Sequence, residues 1–209
     1  KYFSQRFAQV TNPPLDSIRE ADGMTLRVAL GAKPNLGTKA ARQIVVRSPI
    51  LTHLDMLRLR EQQETPLKRF EMLYTPDLND AAANAQALEK AIDDLCTAIA
   101  GFASSEGGIA VVTDRHVSRE RAALPMIIVV SAINQKLIEE GLRLRMSLIV
   151  ESGQVASSHH VATVLGFGAA AVYPLGVQFR AEEKFGEEAD KAFKRFAKAS
   201  EKSLMKTMG

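Results

Sequence analysis

A regular alternation between short apolar runs and longer amphipathic stretches, beginning near Arg69, most constrains the fold of this chain. The apolar runs are rich in β-branched residues, and apolar residues recur at helical spacing between them. Such alternation is typical of β-α-β units, which build parallel sheets. The runs predict parallel strands near residues 69–75, 109–113, 146–151 and 170–174. We therefore predict an α/β fold whose parallel units form a half-barrel-like or open sheet.

Helices are predicted between these strands and after the last of them. Residues 81–102, 125–138 and 157–166 carry either apolar residues at helical spacing or an amino-terminal cap. Residues 181–207 place Phe185, Phe193 and Phe196 on one face, which predicts a single connector helix. Before the sheet, Ser48-Pro49 is predicted to open a short helix, and residues 43–46 are predicted to form a short strand.

The first 36 residues contain prolines and glycines but no sustained periodicity, which predicts an irregular, extended arm. The chain is therefore divided into an arm with short helices (residues 1–68), a parallel α/β core (69–180) and a connector helix (181–209). It begins with Lys1 rather than Met and ends directly after a charged helical stretch, so we expect a piece of a longer polypeptide.

Composition narrows the function classes. A net charge of +3 with 24% charged residues argues against a nucleic-acid partner. No apolar run approaches the roughly 18 residues that a membrane span needs, so no membrane partner is expected. Cys96 lies at helical spacing with apolar neighbours and is predicted to be a small buried hydrophobe. A lone cysteine cannot form a disulfide within the chain, which points to a reducing, cytoplasmic location.

The carboxyl ends of the predicted strands are where a parallel α/β fold places its ligands. Asp114-Arg115 follows the second strand, Glu151-Ser152-Gly153 ends the third and Tyr173-Pro174 ends the fourth, so a site would lie among them. Asp114 and Arg115 are most simply predicted to pair with each other, or to cap the following loop. Glu151 would act as a general base only if burial raised its pKa, and no residue near it in sequence supplies a partner.

The stretch from Glu151 to residue 169 also has the shape of a phosphate cradle, namely a strand, a glycine turn, a helix amino terminus and a second strand. It resembles the phosphate-binding end of flavin-dependent eight-stranded barrels. However, Gly153 stands alone in the first turn, and Glu151 beside it would repel a phosphate. His159 and His160 are adjacent and would point about 100° apart on a helix, so they cannot bind one metal ion together. An independent flavin- or phosphate-binding enzyme of the barrel type stays open as an alternative function.

Two groups of motifs carry a resemblance to a known family. The first consists of Phe7-Ala8-Gln9-Val10-Thr11-Asn12-Pro13-Pro14, then Asp16, Ile18, Arg19 and Glu20, then Ser48-Pro49-Ile50-Leu51. The second consists of Thr113-Asp114-Arg115, Gly141-Leu142-Arg143, Ser147-Leu148-Ile149-Val150-Glu151-Ser152-Gly153, His159-His160, Leu165-Gly166-Phe167-Gly168-Ala169, Tyr173-Pro174 and the closing residues 202–209. In order, spacing and residue type they resemble the central domain of the glutamate synthase large subunit.

The resemblance implies a parent enzyme of ammonia assimilation that converts glutamine and 2-oxoglutarate into two glutamates. It implies a glutaminase domain and an FMN synthase domain as partners on the same polypeptide, together with a small electron-donating subunit. The FMN and the iron-sulfur cluster would belong to the parent enzyme, so no catalytic residue, cofactor or metal is expected in this chain. A central domain would join the two active domains and help to wall the ammonia tunnel between them.

The arm around residues 9–14 is predicted to be an interface element. Pro13 and Pro14 lack amide donors, so this segment cannot join a central strand. Gln9, Thr11 and Asn12 offer neutral polar groups, which suit an ammonia passage because a nearby carboxylate would favour ammonium. The alternative is a packed linker. The complete set of interface or tunnel candidates is Gln9, Thr11, Asn12, Pro13, Pro14, Asp114, Arg115, Glu151, Ser152 and Gly153.

Overall fold

The computed structural model describes Arg19, residues 23–34 and residues 42–209. In chain order the elements of these residues are β1 (Val28–Leu30), β2 (Ile44–Val46), α1 (His53–Glu61), β3 (Leu67–Glu71), β4 (Leu73–Tyr74), α2 (Ala81–Ser105), β5 (Gly108–Thr113), β6 (Ala122–Ala123), α3 (Met126–Glu139), β7 (Met146–Ser152), α4 (Ser158–Gly166), β8 (Ala171–Pro174), α5 (Leu175–Phe185) and α6 (Ala189–Met208). Short 3-10 turns cover Arg143–Arg145 and Gly186–Glu188. No helix of the described residues is long and apolar enough to cross a membrane.

A parallel four-stranded sheet with the spatial order β3-β5-β7-β8 organises the core. Every residue of β5, β7 and β8 is buried, as expected for parallel strands that are covered on both faces. The predicted α/β fold with parallel strands is thereby confirmed, and the helix at 126–139 lies where the apolar stretch indicated.

The two faces of the sheet are covered by different helices. Phe70 and the residues paired with it across the strands form a row on one face, where the Phe70 ring lies 6.0 Å from that of Phe102 in α2. The next row, on the opposite face, consists of Glu71, Thr113, Glu151 and Tyr173. The Tyr173 ring lies 6.1 Å from Phe193 of α6 and 6.4 Å from His53 of α1. Helices α1 and α6 therefore contact the face that carries Glu151.

Helix α1 begins later than predicted. Thr52 and Asp55 form a reciprocal cap, in which the Asp55 amide donates to the Thr52 hydroxyl (3.2 Å) and the Thr52 amide donates to the Asp55 carboxylate (2.9 Å). The Ser48 hydroxyl instead accepts from the amide of Ile50, which bridges to β8. The expectation that Ser48-Pro49 opens this helix is therefore wrong, because the stronger cap lies four residues further on.

The first predicted strand, residues 69–75, is split at Met72. Strand β3 ends at Glu71, and β4 pairs with β6 in an antiparallel ladder of its own. The Met72 amide donates to the Thr113 carbonyl (2.9 Å), and the Met72 carbonyl accepts from the Leu124 amide (2.9 Å). The chain thus leaves the parallel sheet because a distant segment, β6, provides a second pairing partner.

Residues 181–207 do not form the single helix that their apolar spacing predicted. Helices α5 and α6 are separated at Gly186, whose φ of +51° favours glycine, and they pack against each other. The prediction of an irregular arm over the first 36 residues is wrong at Val28–Leu30, which pairs with β2, and residues 1–18, 20–22 and 35–36 of that arm lie outside the described residues. The predicted strand at residues 43–46 is confirmed as β2. The division of the chain into three segments stays a prediction.

Candidate functional site

Asp114 organises one set of contacts at the carboxyl ends of β5 and β7. Its carboxylate accepts from the Ser152 hydroxyl (2.6 Å) and from the Gly153 amide (2.9 Å), and its residue is only 5% exposed. Gln154 extends the contacts: its side-chain amide donates to the Leu124 carbonyl (2.9 Å) and its oxygen accepts from the Met126 amide (3.1 Å). We call these residues, Asp114, Ser152, Gly153 and Gln154, the Asp114 network. It ties the turn after β7 to the start of α3.

The arginine–glutamate cluster, Arg60, Arg69, Arg115 and Glu151, lies on the opposite face. The Glu151 side chain has no exposed surface. Its Oε2 accepts from Nη2 of Arg69 (2.9 Å), and its Oε1 accepts from Nε of Arg115 (2.7 Å). Nη2 of Arg60 lies 3.7 Å from the same Oε1. A buried carboxylate is thus held by guanidinium groups from α1, from β3 and from the loop after β5.

This geometry corrects one sequence-based expectation and completes another. Asp114 and Arg115 do not pair with each other. Asp114 accepts from Ser152, whereas Arg115 donates to Glu151. Because side chains alternate along β7, Ser152 and Glu151 lie on opposite faces of the sheet, and the two charges are separated with them. No partner for Glu151 was expected near it in sequence, and its two hydrogen-bonded partners are distant ones: Arg69 lies 82 positions away and Arg115 36 positions away. Only the parallel register brings these charges together.

Arg60 and Arg69 are site residues that the sequence analysis did not single out. The sequence did offer a signal for Arg69, because it is a charged residue inside a predicted strand and lies on the same face of that strand as Glu71. Arg60 gave no such signal, because an arginine on a short polar helix is typical of a solvated surface.

Tyr173 is buried beside the cluster, and its hydroxyl lies 3.4 Å from Nδ1 of His53. Burial raises the pKa of Tyr173 to about 12, and the nearby Arg115 partly opposes this rise. The aromatic ring of Phe179 lies 5.7 Å from the Arg115 guanidinium carbon, so it packs over the same arginine. Because its pKa is raised, Tyr173 stays a neutral phenol in the folded chain.

Ionisation of Tyr173 should lower stability at high pH. The unfolded chain loses this proton near pH 10 and the folded chain near pH 12, so stability is full below about pH 10 and falls through the interval. We expect a late phenolate phase in an ultraviolet pH titration of the folded chain. The phase should be missing in Tyr173→Phe, and the stability of that variant should depend less on pH in this range. A Tyr173→Phe titration identical to that of the original chain would contradict the assignment.

The residues that resemble a phosphate cradle do not fit a flavin phosphate. The Gly153 amide, the first donor such a group would use, already donates to Asp114. The start of α5 fills the space above it, since a Cβ at Gly176 would lie 2.7 Å from the Gly153 carbonyl oxygen. At the next helix, the Ser157 hydroxyl already accepts from the His160 amide (3.2 Å). The cradle is closed by the protein's own groups.

Neither a metal site nor an activated thiol is formed by the described residues. No group of three or more His, Cys, Asp and Glu side chains among them could hold a metal ion. The His159 and His160 ring centroids lie 6.4 Å apart with their planes tilted by 55°. Cys96 is buried, and this burial raises the pKa of its thiol to about 11, which disfavours the nucleophilic thiolate.

The remaining candidates, Gln9, Thr11, Asn12, Pro13 and Pro14, lie outside the described residues. Arg115, Glu151, Asp114, Ser152 and Gly153 are all placed at the strand ends, where they divide between the cluster and the network. Their proposed role at an interface or tunnel stays a prediction.

Comparison with known proteins decides the family. The family model of the glutamate synthase central domain matches residues 1–209. The chain belongs to this family. Among curated relatives, the ferredoxin-dependent glutamate synthase of Cyanidium caldarium is 37% identical over 179 residues, and the NADPH glutamate synthase large chain of Bacillus subtilis is 33% identical over 178 residues. Each alignment covers 83% of this chain but 11% of the relative, so this central domain spans about a tenth of the relatives' length.

A more distant likeness is found among solved structures. A flavocytochrome b2 mutant with benzoylformate matches this central domain with a TM-score of 0.46 and 16% identity. The match covers 76% of the present chain and 36% of the flavocytochrome chain.

Proposed function

We propose that this chain is the non-catalytic central domain of a glutamate synthase, an enzyme that forms two glutamates from glutamine and 2-oxoglutarate. In this role it joins a glutaminase domain to an FMN and iron-sulfur synthase domain of the same polypeptide and helps to wall the ammonia tunnel between them. Membership of the central-domain family and the small share of the relatives' length support the proposal. The parent enzyme supplies the cofactors and receives electrons from a separate donor.

One observation supports the non-catalytic role: the carboxylates at the carboxyl ends of the strands are already occupied by groups of the protein. In parallel α/β enzymes this edge presents free catalytic groups. Here the Glu151 carboxylate is occupied by arginines, and the Asp114 carboxylate is occupied by the Ser152 hydroxyl and the Gly153 amide. A general base needs an oxygen within reach of substrate, and both carboxylates are at least nine-tenths buried. These contacts favour a scaffold over a barrel-type enzyme.

The alternative, an independent flavin-binding enzyme, is tested by adding FMN to the purified chain. We expect no stoichiometric shift of the flavin absorbance spectrum and no ammonia release from glutamine. Tight flavin binding would overturn the scaffold proposal. Ammonia release that disappears in Cys96→Ala would do the same.

The tunnel role is tested in the full-length synthase that contains this domain. Asn12→Ala should loosen the coupling between glutamine hydrolysis and glutamate formation, so that ammonia appears in excess of glutamate. Its effect on stability should stay within about 1 kcal/mol, the size of one surface hydrogen bond. Asn79→Ala, in an exposed turn before α2, is the matched control and should leave the two rates equal. Equal rates in Asn12→Ala together with loss of folding would contradict the interface assignment.

A further inference from the structure

The arginine–glutamate cluster carries more positive than negative charge. Three guanidinium groups surround the single carboxylate of Glu151, which leaves two positive charges in this set of contacts. Scaffolding alone gives no reason for the excess, because one or two arginines would satisfy both oxygens of Glu151. Buried or half-buried charges are normally balanced by a counter-charge.

Other acidic groups near this edge make no hydrogen bond to the arginines of the cluster within the described residues. Glu71 accepts from Arg121 and contacts His116, and Glu182 accepts from the Gln178 amide. Asp114 is held by the Asp114 network, on the opposite face. The Arg60 guanidinium has no hydrogen bond within the described part of the chain, and its distance of 3.7 Å from Glu151 is too long for one.

The guanidinium groups remain accessible although their carboxylate is not. The side chains of Arg60, Arg69 and Arg115 are 35%, 30% and 25% exposed, whereas that of Glu151 is 0% exposed. In addition, Nε of Arg69 is buried without an acceptor among the described residues. The donors of the cluster therefore exceed the acceptors that the described residues supply.

We propose that the outer side of this cluster binds a small, doubly charged oxyanion, either a phosphate group or a dicarboxylate. Guanidinium groups bind both through paired N–H donors, and two charges on the ligand match the excess of the cluster. Arg60 supplies the free donors, while Arg69 and Arg115 contribute their exposed edges. This side-chain site is separate from the closed glycine turn at Gly153. It does not depend on the proposed tunnel role, since binding is measured on the chain itself.

Calorimetric titration of the chain at physiological ionic strength tests the proposal with two probes, inorganic phosphate and succinate. We expect at least one of them to bind with a dissociation constant below about 1 mM, and acetate to bind at least about tenfold more weakly. Binding of phosphate alone assigns the site to phosphate groups, and binding of succinate alone assigns it to dicarboxylates. Failure of both probes to bind the folded chain overturns the proposal.

Three variants locate the binding. Arg60→Gln should weaken it at least about fivefold, because it removes one charge and the free donors. Arg58→Gln, on the same helix but lining the groove beside β2, is the matched control and should leave the affinity unchanged. Glu151→Gln should tighten binding several-fold, because it removes the competing carboxylate. Equal losses in the Arg60 and Arg58 variants, or no gain in folded Glu151→Gln, would mean that any binding lies elsewhere.

Discussion

Glu151→Gln should lower the free energy of unfolding by about 3 kcal/mol, because it leaves three converging guanidinium groups without their carboxylate. Breaking a fully buried ion pair typically costs about 3–5 kcal/mol. The lower end is expected here, since the arginines are a quarter to a third exposed and water can partly replace the lost contacts. Glutamine keeps the shape of the side chain, so the loss reports on charge and not on a cavity.

Chemical denaturation and thermal melting in a buffer without phosphate measure the effect. A domain of this size should melt roughly 6–12 °C lower, given about 2–4 °C for each kcal/mol. The matched control is Glu89→Gln, an exposed glutamate of α2, which should change stability by less than about 0.5 kcal/mol. If the two variants were equally stable, Glu151 would not be the counter-charge that holds the cluster.

Gly108→Ala should also cost about 3 kcal/mol or more, for a different reason. Gly108 opens the central strand β5 with φ at +110°, a conformation that side chains rarely adopt. A Cβ there would lie 2.3 Å from the Pro66 carbonyl oxygen, which already accepts from the Ile109 amide (2.8 Å). The clash therefore involves backbone that cannot move without loss of the pairing between β3 and β5.

Gly141→Ala separates the two contributions. Gly141 also has a positive φ, +69°, but nothing lies within 4 Å of the position of its Cβ. We expect this control to cost only about 1–2 kcal/mol, the price of the left-handed conformation alone. Stability is compared by denaturant midpoints of the two variants. Equal losses would show that backbone conformation, not the close approach to Pro66, makes Gly108 necessary.

Local sequence determined much of the architecture. The continuous apolar runs of β5, β7 and β8 predicted buried parallel strands, and the strands lie within a few residues of the expected positions. Helix α3 was recognisable from its length and from the proline before it. These features follow from side-chain periodicity and caps, which act over a few residues and are therefore visible in the sequence.

Elements that depend on a distant partner were missed or misplaced. The break at Met72 requires β6, and the pairing of Val28–Leu30 requires β2. The division of the carboxyl-terminal helix depends on α5 and α6 packing against each other around Gly186. Periodicity carries no information on such pairings, because each segment is locally compatible with more than one arrangement.

The candidate site shows the same division. Order and type of motifs were enough to recognise the central-domain family, and the strand-end rule was enough to select Asp114, Arg115, Glu151, Ser152 and Gly153. Which charge contacts which group was decided only by the tertiary structure. The parallel register and the alternation of side chains place Glu151 against Arg69 on one face, and Ser152 against Asp114 on the other. Electrostatic partners are neighbours in space, and their separation along the sequence does not reveal which residues will be neighbours.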